Sequence, residues 1–338
     1  MKKLDSNLLE IINPRINKEF YGFDNIEKLF LNILRNKKLL NAYIFYGIKG
    51  IGKATFAFRL SRFILSQNKN FNKNLYISKE DPVFKTVASL THPDFILIES
   101  ENNKNKEEIS TELLKTIQEK VYKTCAESEY KIIVIDSIDD IKSKRSSNTL
   151  LKILEDCPQN CIFFIISHSI FQVPKTIKSR CQKIYFNPIN NEKFKNWFKQ
   201  FNLIDEKSMN VVLSLSNGSL GKAMEIINSR KYIEIYHKSN ELIQNIQQIN
   251  LANIEELFSL YNSNEVCIKS FLLIIQYQIS KNIKQLIIEN NKIHLVNFYL
   301  SLFFEINAAL NLFKSFTLDS SQLLNIIKFL LLKHSKNL

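Results

Sequence analysis

Gly47-Ile48-Lys49-Gly50-Ile51-Gly52-Lys53-Ala54-Thr55 is the stretch that decides the fold of this chain. It matches the pattern Gly-x-x-x-x-Gly-Lys, and it lies between a short apolar run, Ala42–Tyr46, and a segment with helical spacing, Phe56–Leu65. Glycines let the backbone curl until successive N–H groups point inward at the start of a helix, where anions bind. The pattern predicts a phosphate-binding loop built on Gly47, Gly50 and Gly52, with Lys53 reaching the β- and γ-phosphates.

One position of this loop departs from the pattern. The motif places Ser or Thr after the lysine, because that hydroxyl binds Mg²⁺, whereas this chain has Ala54 followed by Thr55. One step along a helix is a rotation of about 100°, so Thr55 does not present its hydroxyl at the same point. We expect that ATP or ADP can bind here, and the missing hydroxyl argues against ordered Mg²⁺ coordination.

The rest of the chain predicts an α/β domain followed by helices. Short apolar runs at 95–98, 132–135, 162–166 and 184–186 alternate with helical spacing at 25–39, 111–122 and 147–155, which indicates a parallel sheet covered on both faces. Beyond Pro188 only helical patterns follow. We predict a nucleotide-binding-like domain over 1–187, a helical lid over 188–240 and a helical domain over 241–338. The polar runs 68–74 and 102–106 are expected to be solvated loops.

A second strand ends in a carboxylate. The pattern of an apolar strand that ends in an aspartate occurs at Ile132-Ile133-Val134-Ile135-Asp136. In nucleotide-binding proteins with a phosphate loop, this aspartate holds the Mg²⁺ shell. The alternative is that Asp136 only caps a following helix. Active ATPases of this kind place Glu next, to polarise water, but Ser137 stands here, with Asp139 and Asp140 beyond it. The sequence therefore predicts that this site lacks its general base.

Composition narrows the class of protein. The 338 residues carry 46 Lys and Arg against 33 Asp and Glu, a formal charge of +13, which suits a polyanionic partner but also follows from general over-use of lysine. No apolar run approaches the ~20 residues of a membrane span, and the N-terminus does not resemble a signal peptide. Five scattered cysteines do not form a disulfide framework. We expect a soluble, cytoplasmic protein.

Three further stretches, together with the phosphate loop, carry a resemblance to a known family. They are His92-Pro93-Asp94, the segment Asn148-Thr149-Leu150-Leu151-Lys152-Ile153-Leu154-Glu155, and Ser179-Arg180-Cys181 within 174–181. The chain resembles the delta-prime subunits of bacterial DNA polymerase III clamp loaders, over about residues 15 to 230. The resemblance implies an AAA+ domain, a helical lid and a helical collar that joins gamma/tau and delta subunits in a five-membered ring. It also implies ATP-dependent loading of the sliding clamp onto primed DNA.

The resemblance assigns roles to two residues. It implies that Arg180 reaches the ATP site of the neighbouring subunit in trans, where a planar, permanently charged guanidinium suits phosphate oxygens. The alternative is a surface arginine paired with a nearby carboxylate. Lys222 stands where a sensor arginine is common, and it is either a phosphate contact or a solvated helix residue. Delta-prime subunits are typically weak or inactive ATPases, which Ala54 and Ser137 fit.

Other interpretations stay open. The chain could be an ATP-hydrolysing motor subunit of the gamma/tau type, a free-standing AAA+ ATPase that remodels nucleic acid, or a basic DNA-binding regulator. Lys142, Lys144 and Arg145 could contact DNA or form an ordinary basic turn. Zinc is not expected, because 66–90 contains no cysteine where relatives carry a zinc module. A site built from Cys157 and Cys161 would need both His168 and Cys181 beside them.

Overall fold

The computed structural model describes most of the chain in two units. The described residues are 13–17, 20–71, 74–103, 106–201, 206–228, 230–245, 254–255, 265–288, 293–316 and 320–335. Unit 1 comprises Met1–Phe194 with Gly218–Lys222, and unit 2 comprises Lys195–Asn217 with Ala223–Leu338. The finer division at 187 and 240 stays a prediction.

Unit 1 is built on a parallel sheet of five strands. They are β1 (Ala42–Tyr46), β2 (Phe95–Glu99), β5 (Lys131–Asp136), β6 (Cys161–Ser167) and β7 (Gln182–Tyr185), arranged in the order β2-β5-β6-β1-β7. The central strands are apolar on both faces; Phe45, Val134 and Ile165 are fully buried. This burial is what the unbroken apolar runs predict for strands covered by helices on both sides. The predicted α/β fold is confirmed.

Helices connect these strands. They are α1 (Asp24–Arg35), α2 (Lys53–Leu65), α3 (Pro82–Ala88), α4 (Thr111–Val121), α5 (Lys144–Asp156) and the short α6 (Lys175–Lys178), with a 3₁₀ turn at Ile138–Asp140. Side-chain caps start three of them: Asp81, Ser110 and Ser143 each accept a bond from a backbone N–H in the first turn. Helix α1 ends four residues before the predicted limit, because Lys37 takes a φ of +52° and the N–H groups of Lys37 and Lys38 turn back onto Leu34 and Ile33.

One predicted loop is wrong. Within 102–106, expected to be a solvated loop, the described residues Asn102, Asn103 and Lys106 belong to two paired antiparallel strands, β3 (Glu101–Asn103) and β4 (Lys106–Glu108). Both strands are three residues long and polar, so they lack the apolar alternation that identifies a strand in a sequence. The backbone pairing alone defines them.

The remaining helices extend from residue 191 to the end of the described chain. They are α7 (Asn191–Phe201), α8 (Glu206–Ser216), α9 (Leu220–Asn228), α10 (Arg230–Gln244), α11 (Glu265–Ile288), α12 (Ile293–Phe316) and α13 (Ser320–Ser335). In unit 2, α11 packs on α10 and α12, and α12 packs on α13. The large apolar side chains at Phe298, Tyr299, Leu302, Phe303 and Ile306 form a stripe along α12. Leu302 and Ile306 are fully buried, and the Tyr299 hydroxyl donates to the Ile243 carbonyl at 3.1 Å. Most of that stripe is therefore the core of this unit.

One helical segment has the dimensions of a membrane span. Among the described residues, Ile293–Leu312 is long and apolar enough to cross a bilayer by length and composition. It carries Glu305, whose carboxylate pairs with Lys333 and His334 of α13. A single such helix is weak evidence for a span, because the core helix of a helical bundle passes the same test.

Candidate nucleotide site and Arg180

The phosphate loop leaves β1 at Gly47 and enters α2 at Lys53. Gly50 and Gly52 have φ of +76° and +111°, a region that side chains other than glycine rarely adopt. A Cβ at Gly47 would lie 2.6 Å from the Phe186 carbonyl oxygen, so the loop can start here only with glycine. The predicted strand–loop–helix context is present.

Lys53 is folded back into this loop. Its Nζ donates to the carbonyl oxygens of Gly47 at 2.7 Å and Ile48 at 2.8 Å, and the residue is 3% exposed. Burial lowers the pKa of Lys53 to about 8, although Asp136 and Asp139 oppose the shift. The ammonium thus satisfies loop carbonyls, and a bound phosphate would have to replace those two contacts.

Ala54 and Thr55 are half-buried and follow Lys53 in the first turn of α2. Because Ala54 has no side-chain oxygen, the position that normally supplies a metal-binding hydroxyl cannot do so. The chemistry of the donor set therefore gives Mg²⁺ a carboxylate at Asp136 without the usual hydroxyl opposite it.

Asp136 ends β5, beside β6 in the sheet. Burial raises the pKa of its carboxyl group, and Glu99 and Asp140 add to the rise, while Lys53 opposes it. The two acids that follow β5 are both engaged in hydrogen bonds. Asp139 accepts bonds from the Ser167 hydroxyl and the His168 N–H, so it ties β5 to the end of β6, and Asp140 accepts from Ser137.

His168 is a residue of this site that the sequence analysis weighed only as a zinc ligand. It follows β6, between the ends of β1 and β5. Burial and the charges of Lys53 and Lys49 lower the pKa of His168 to about 4, against Asp139 and Asp140. Its Nδ1 is buried without a hydrogen-bond partner in the described chain. The signal available in the sequence was its place directly after a central parallel strand, where ligands bind in open α/β sheets.

Residues 218–222, which include the first residues of α9, bring Lys222 to the phosphate loop. The Gly221 N–H donates to the Gly50 carbonyl at 2.9 Å, and the Ser219 hydroxyl donates to the Lys49 carbonyl at 2.8 Å. A Cβ at Gly221 would lie 2.9 Å from Gly50 Cα, and one at Gly50 would lie 3.1 Å from the backbone nitrogen of Lys222. Glycines on both sides permit this close approach, and it places the backbone of Lys222 at the loop.

Arg180 lies at the amino ends of the parallel strands, opposite the ends that carry the phosphate loop. It directly precedes Cys181 and β7, and β7 runs parallel to β1 with Tyr43 opposite Gln182. The phosphate loop follows the carboxyl end of β1. Arg180 and the phosphate loop are therefore separated by the length of a strand, which rises about 3.3 Å per residue. Arg180 is exposed and its guanidinium pairs with Glu155 of α5. The predicted carboxylate partner is therefore present, and Arg180 is remote from the phosphate loop of its own chain.

Comparison with known proteins identifies the family. The family model described as "DNA polymerase III, delta subunit" matches residues 23–190, which contain the sheet, the phosphate loop and Arg180. The chain is a member of the clamp-loader family of AAA+ proteins. The predicted AAA+ domain is thereby confirmed.

The similar clamp-loader subunits include both candidate types. The chain is 26% identical to a Buchnera aphidicola gamma subunit, covering 83% of this chain and 72% of that protein, and 26% identical to a delta-prime subunit of the same organism, covering 80% and 81%. It is 25% identical to the Bacillus subtilis tau subunit but spans 38% of its length. A gamma-related protein from Thermotoga maritima superimposes with a TM-score of 0.46 at 14% identity, covering 90% of this chain and 98% of that one.

Two of the cysteines that the structure describes in this clamp-loader protein occupy packing positions. Cys161 and Cys181 are buried, and the Cys161 thiol lies 3.5 Å from the Val121 carbonyl. No group of three or more His, Cys, Asp or Glu side chains in the described parts of the chain could hold a metal ion. The absence of zinc stays a prediction.

The titration of Lys53 is a direct test of whether its ammonium group is buried against the carbonyls of the phosphate loop. We expect its ammonium to titrate near pH 8 in the free protein, and its resonance, followed in ¹³C-lysine NMR and assigned with Lys53→Met, should show this. Because the unfolded chain binds the proton more tightly, the free energy of unfolding should rise with pH between about 8 and 10.5. The Lys53→Met protein should lack that rise. Titration of Lys53 at its ordinary value would contradict the buried arrangement.

Proposed function

We propose that this chain is a delta-prime-type subunit of a clamp loader, which supplies Arg180 in trans to the ATP site of a neighbouring subunit. In this role it joins gamma/tau and delta subunits in a hetero-pentameric ring in the cytoplasm. The ring loads the sliding clamp onto primed DNA with ATP hydrolysis. The observation that carries the proposal is the position of Arg180: it is exposed at the amino ends of the parallel strands, whereas the phosphate loop of its own chain follows the carboxyl end of β1.

The state of the chain's own site supports the same role. Ala54 removes the metal-binding hydroxyl, Ser137 stands where a catalytic glutamate is usual, and Asp139 is engaged by the end of β6. A nucleotide, ATP or ADP, could still be held by the glycine loop and Lys53, with Lys222 close by. We infer weak or no hydrolysis at this site, because the groups that would orient metal and water are missing.

The motor-subunit alternative keeps one argument. The gamma relative matches the chain at the same identity as the delta-prime relative, so the comparisons do not separate the two types. The separating feature is the site chemistry, since a motor must hydrolyse ATP in its own pocket.

The test is reconstitution with the gamma and delta subunits of the same organism. We expect the chain alone to show almost no ATP turnover, and turnover to appear when the ring assembles, with clamp loading onto primed DNA as the second measurement. Lys53→Ala in this chain should change neither by more than about twofold. Turnover by the isolated chain that Lys53→Ala abolishes would instead identify a motor or a free-standing ATPase. Strong DNA binding by the isolated chain that weakens steeply with salt would favour the DNA-binding regulator.

A further inference from the structure

Arg180 is held in place by three partners within its own chain. One terminal nitrogen of its guanidinium pairs with Glu155, and the other donates to the Thr176 carbonyl at 3.0 Å and to the Ser179 hydroxyl at 3.5 Å. The two charged side chains are 40% and 37% exposed. The pair is therefore open to solvent and to an approaching subunit, while its geometry is fixed by two separate elements.

The two elements are helices that end at the amino ends of neighbouring parts of the sheet. Glu155 is the penultimate residue of α5, which precedes β6, and Thr176 belongs to the short α6, which precedes β7. A guanidinium carries five N–H donors, so these anchors leave donors for an incoming anion. The anchors restrict the otherwise mobile side chain without using its full capacity for phosphate.

We propose that Glu155 is the positioning residue for Arg180, holding the guanidinium ready for a neighbour's nucleotide. This inference rests on the proposed function. An exposed arginine loses rotamer freedom when it engages a ligand, and a side chain that is already restrained loses less at that moment. Glu155 thus acts through Arg180 and does not itself touch the nucleotide.

The size and sign of the effect follow from the exposure of the pair. Half-exposed ion pairs change equilibria by about fivefold at most, so the contribution of Glu155 is a few-fold. If Glu155 instead competed with phosphate for the guanidinium, its removal would speed the reaction. The two possibilities differ in sign.

The experiment measures the ATP turnover that this chain elicits in the reconstituted ring. Glu155→Ala should lower kcat by about two- to fivefold with ring assembly unchanged. Glu155→Gln, which keeps an oxygen acceptor in the same place, should restore most of the loss. Asp156→Ala removes the adjacent exposed carboxylate and serves as the matched control, with no expected change.

The Arg180→Ala background separates this inference from the proposed function. There, Glu155→Ala should cause no further loss, because the residue it positions is gone. An equal loss in both backgrounds would indicate a merely structural role for Glu155 and overturn the inference, as would an unchanged or faster rate for the single variant. If Arg180→Ala alone leaves turnover unchanged, the proposed function itself fails.

Discussion

A ring assembled with the Arg180→Ala chain should hydrolyse ATP about a thousandfold more slowly at the site that this chain completes. The reason is electrostatic: charge develops on the transferred phosphoryl group, and a guanidinium at that point stabilises the transition state more than the ground state. The measurement is single-turnover ATP hydrolysis by the assembled ring. The conditions are chosen so that the ATP site between this chain and its neighbour accounts for the stimulated rate. Ring assembly, followed by light scattering, should be unaffected.

Two companion variants make the Arg180 experiment specific. Arg180→Lys keeps the charge but loses the planar fork, so most of the activity should still be lost. Lys175→Ala removes an exposed cation from α6 without touching Arg180, and its turnover should stay within about twofold of the parent. Stimulation that survives Arg180→Ala would exclude this residue from phosphoryl transfer.

The second large effect concerns Asp94, whose carboxylate holds a buried junction of unit 1. Its two oxygens accept bonds from the N–H groups of Ala126, Glu127 and Ser128, at 2.8, 2.8 and 2.9 Å. These bonds fasten the loop before β5 to the start of β2. Asp94→Ala leaves the three donors without that acceptor, and we expect a loss of about 2–4 kcal/mol in the free energy of unfolding.

The measurement for Asp94 is urea unfolding of the whole chain, with Asp94→Asn and Asp156→Ala as comparisons. The asparagine retains one carbonyl acceptor and should lose about half as much, while Asp156 is exposed and its removal should cost less than about 0.5 kcal/mol. Although burial alone would raise the pKa of Asp94, the three backbone bonds outweigh it and lower the pKa. The contribution of Asp94 is thus full above its ordinary value of 3.8 and disappears as the pH falls further. A loss below 1 kcal/mol for Asp94→Ala would contradict this account.

The sequence by itself determined the fold class and half of the site. Runs such as Ala42–Tyr46 indicated strands buried on both faces, and the glycine spacing from Gly47 to Gly52 indicated a phosphate-binding loop before a helix. Both are local properties, because side-chain periodicity and permitted φ values act over a few neighbouring residues. The departures from the motifs at Ala54 and Ser137 could also be recognised in the sequence, because a side chain that lacks a hydroxyl or a carboxylate lacks it in any fold.

The tertiary structure decided which distant residues meet. His168 joins the site because β6 lies between β5 and β1, and Gly221 reaches Gly50 because the turn after α8 returns to the phosphate loop. Glu155 and Arg180 are 25 positions apart in sequence and become partners only because α5 and α6 both end at the amino ends of the strands. Strand order and helix ends set these contacts, and no periodicity in the chain encodes them.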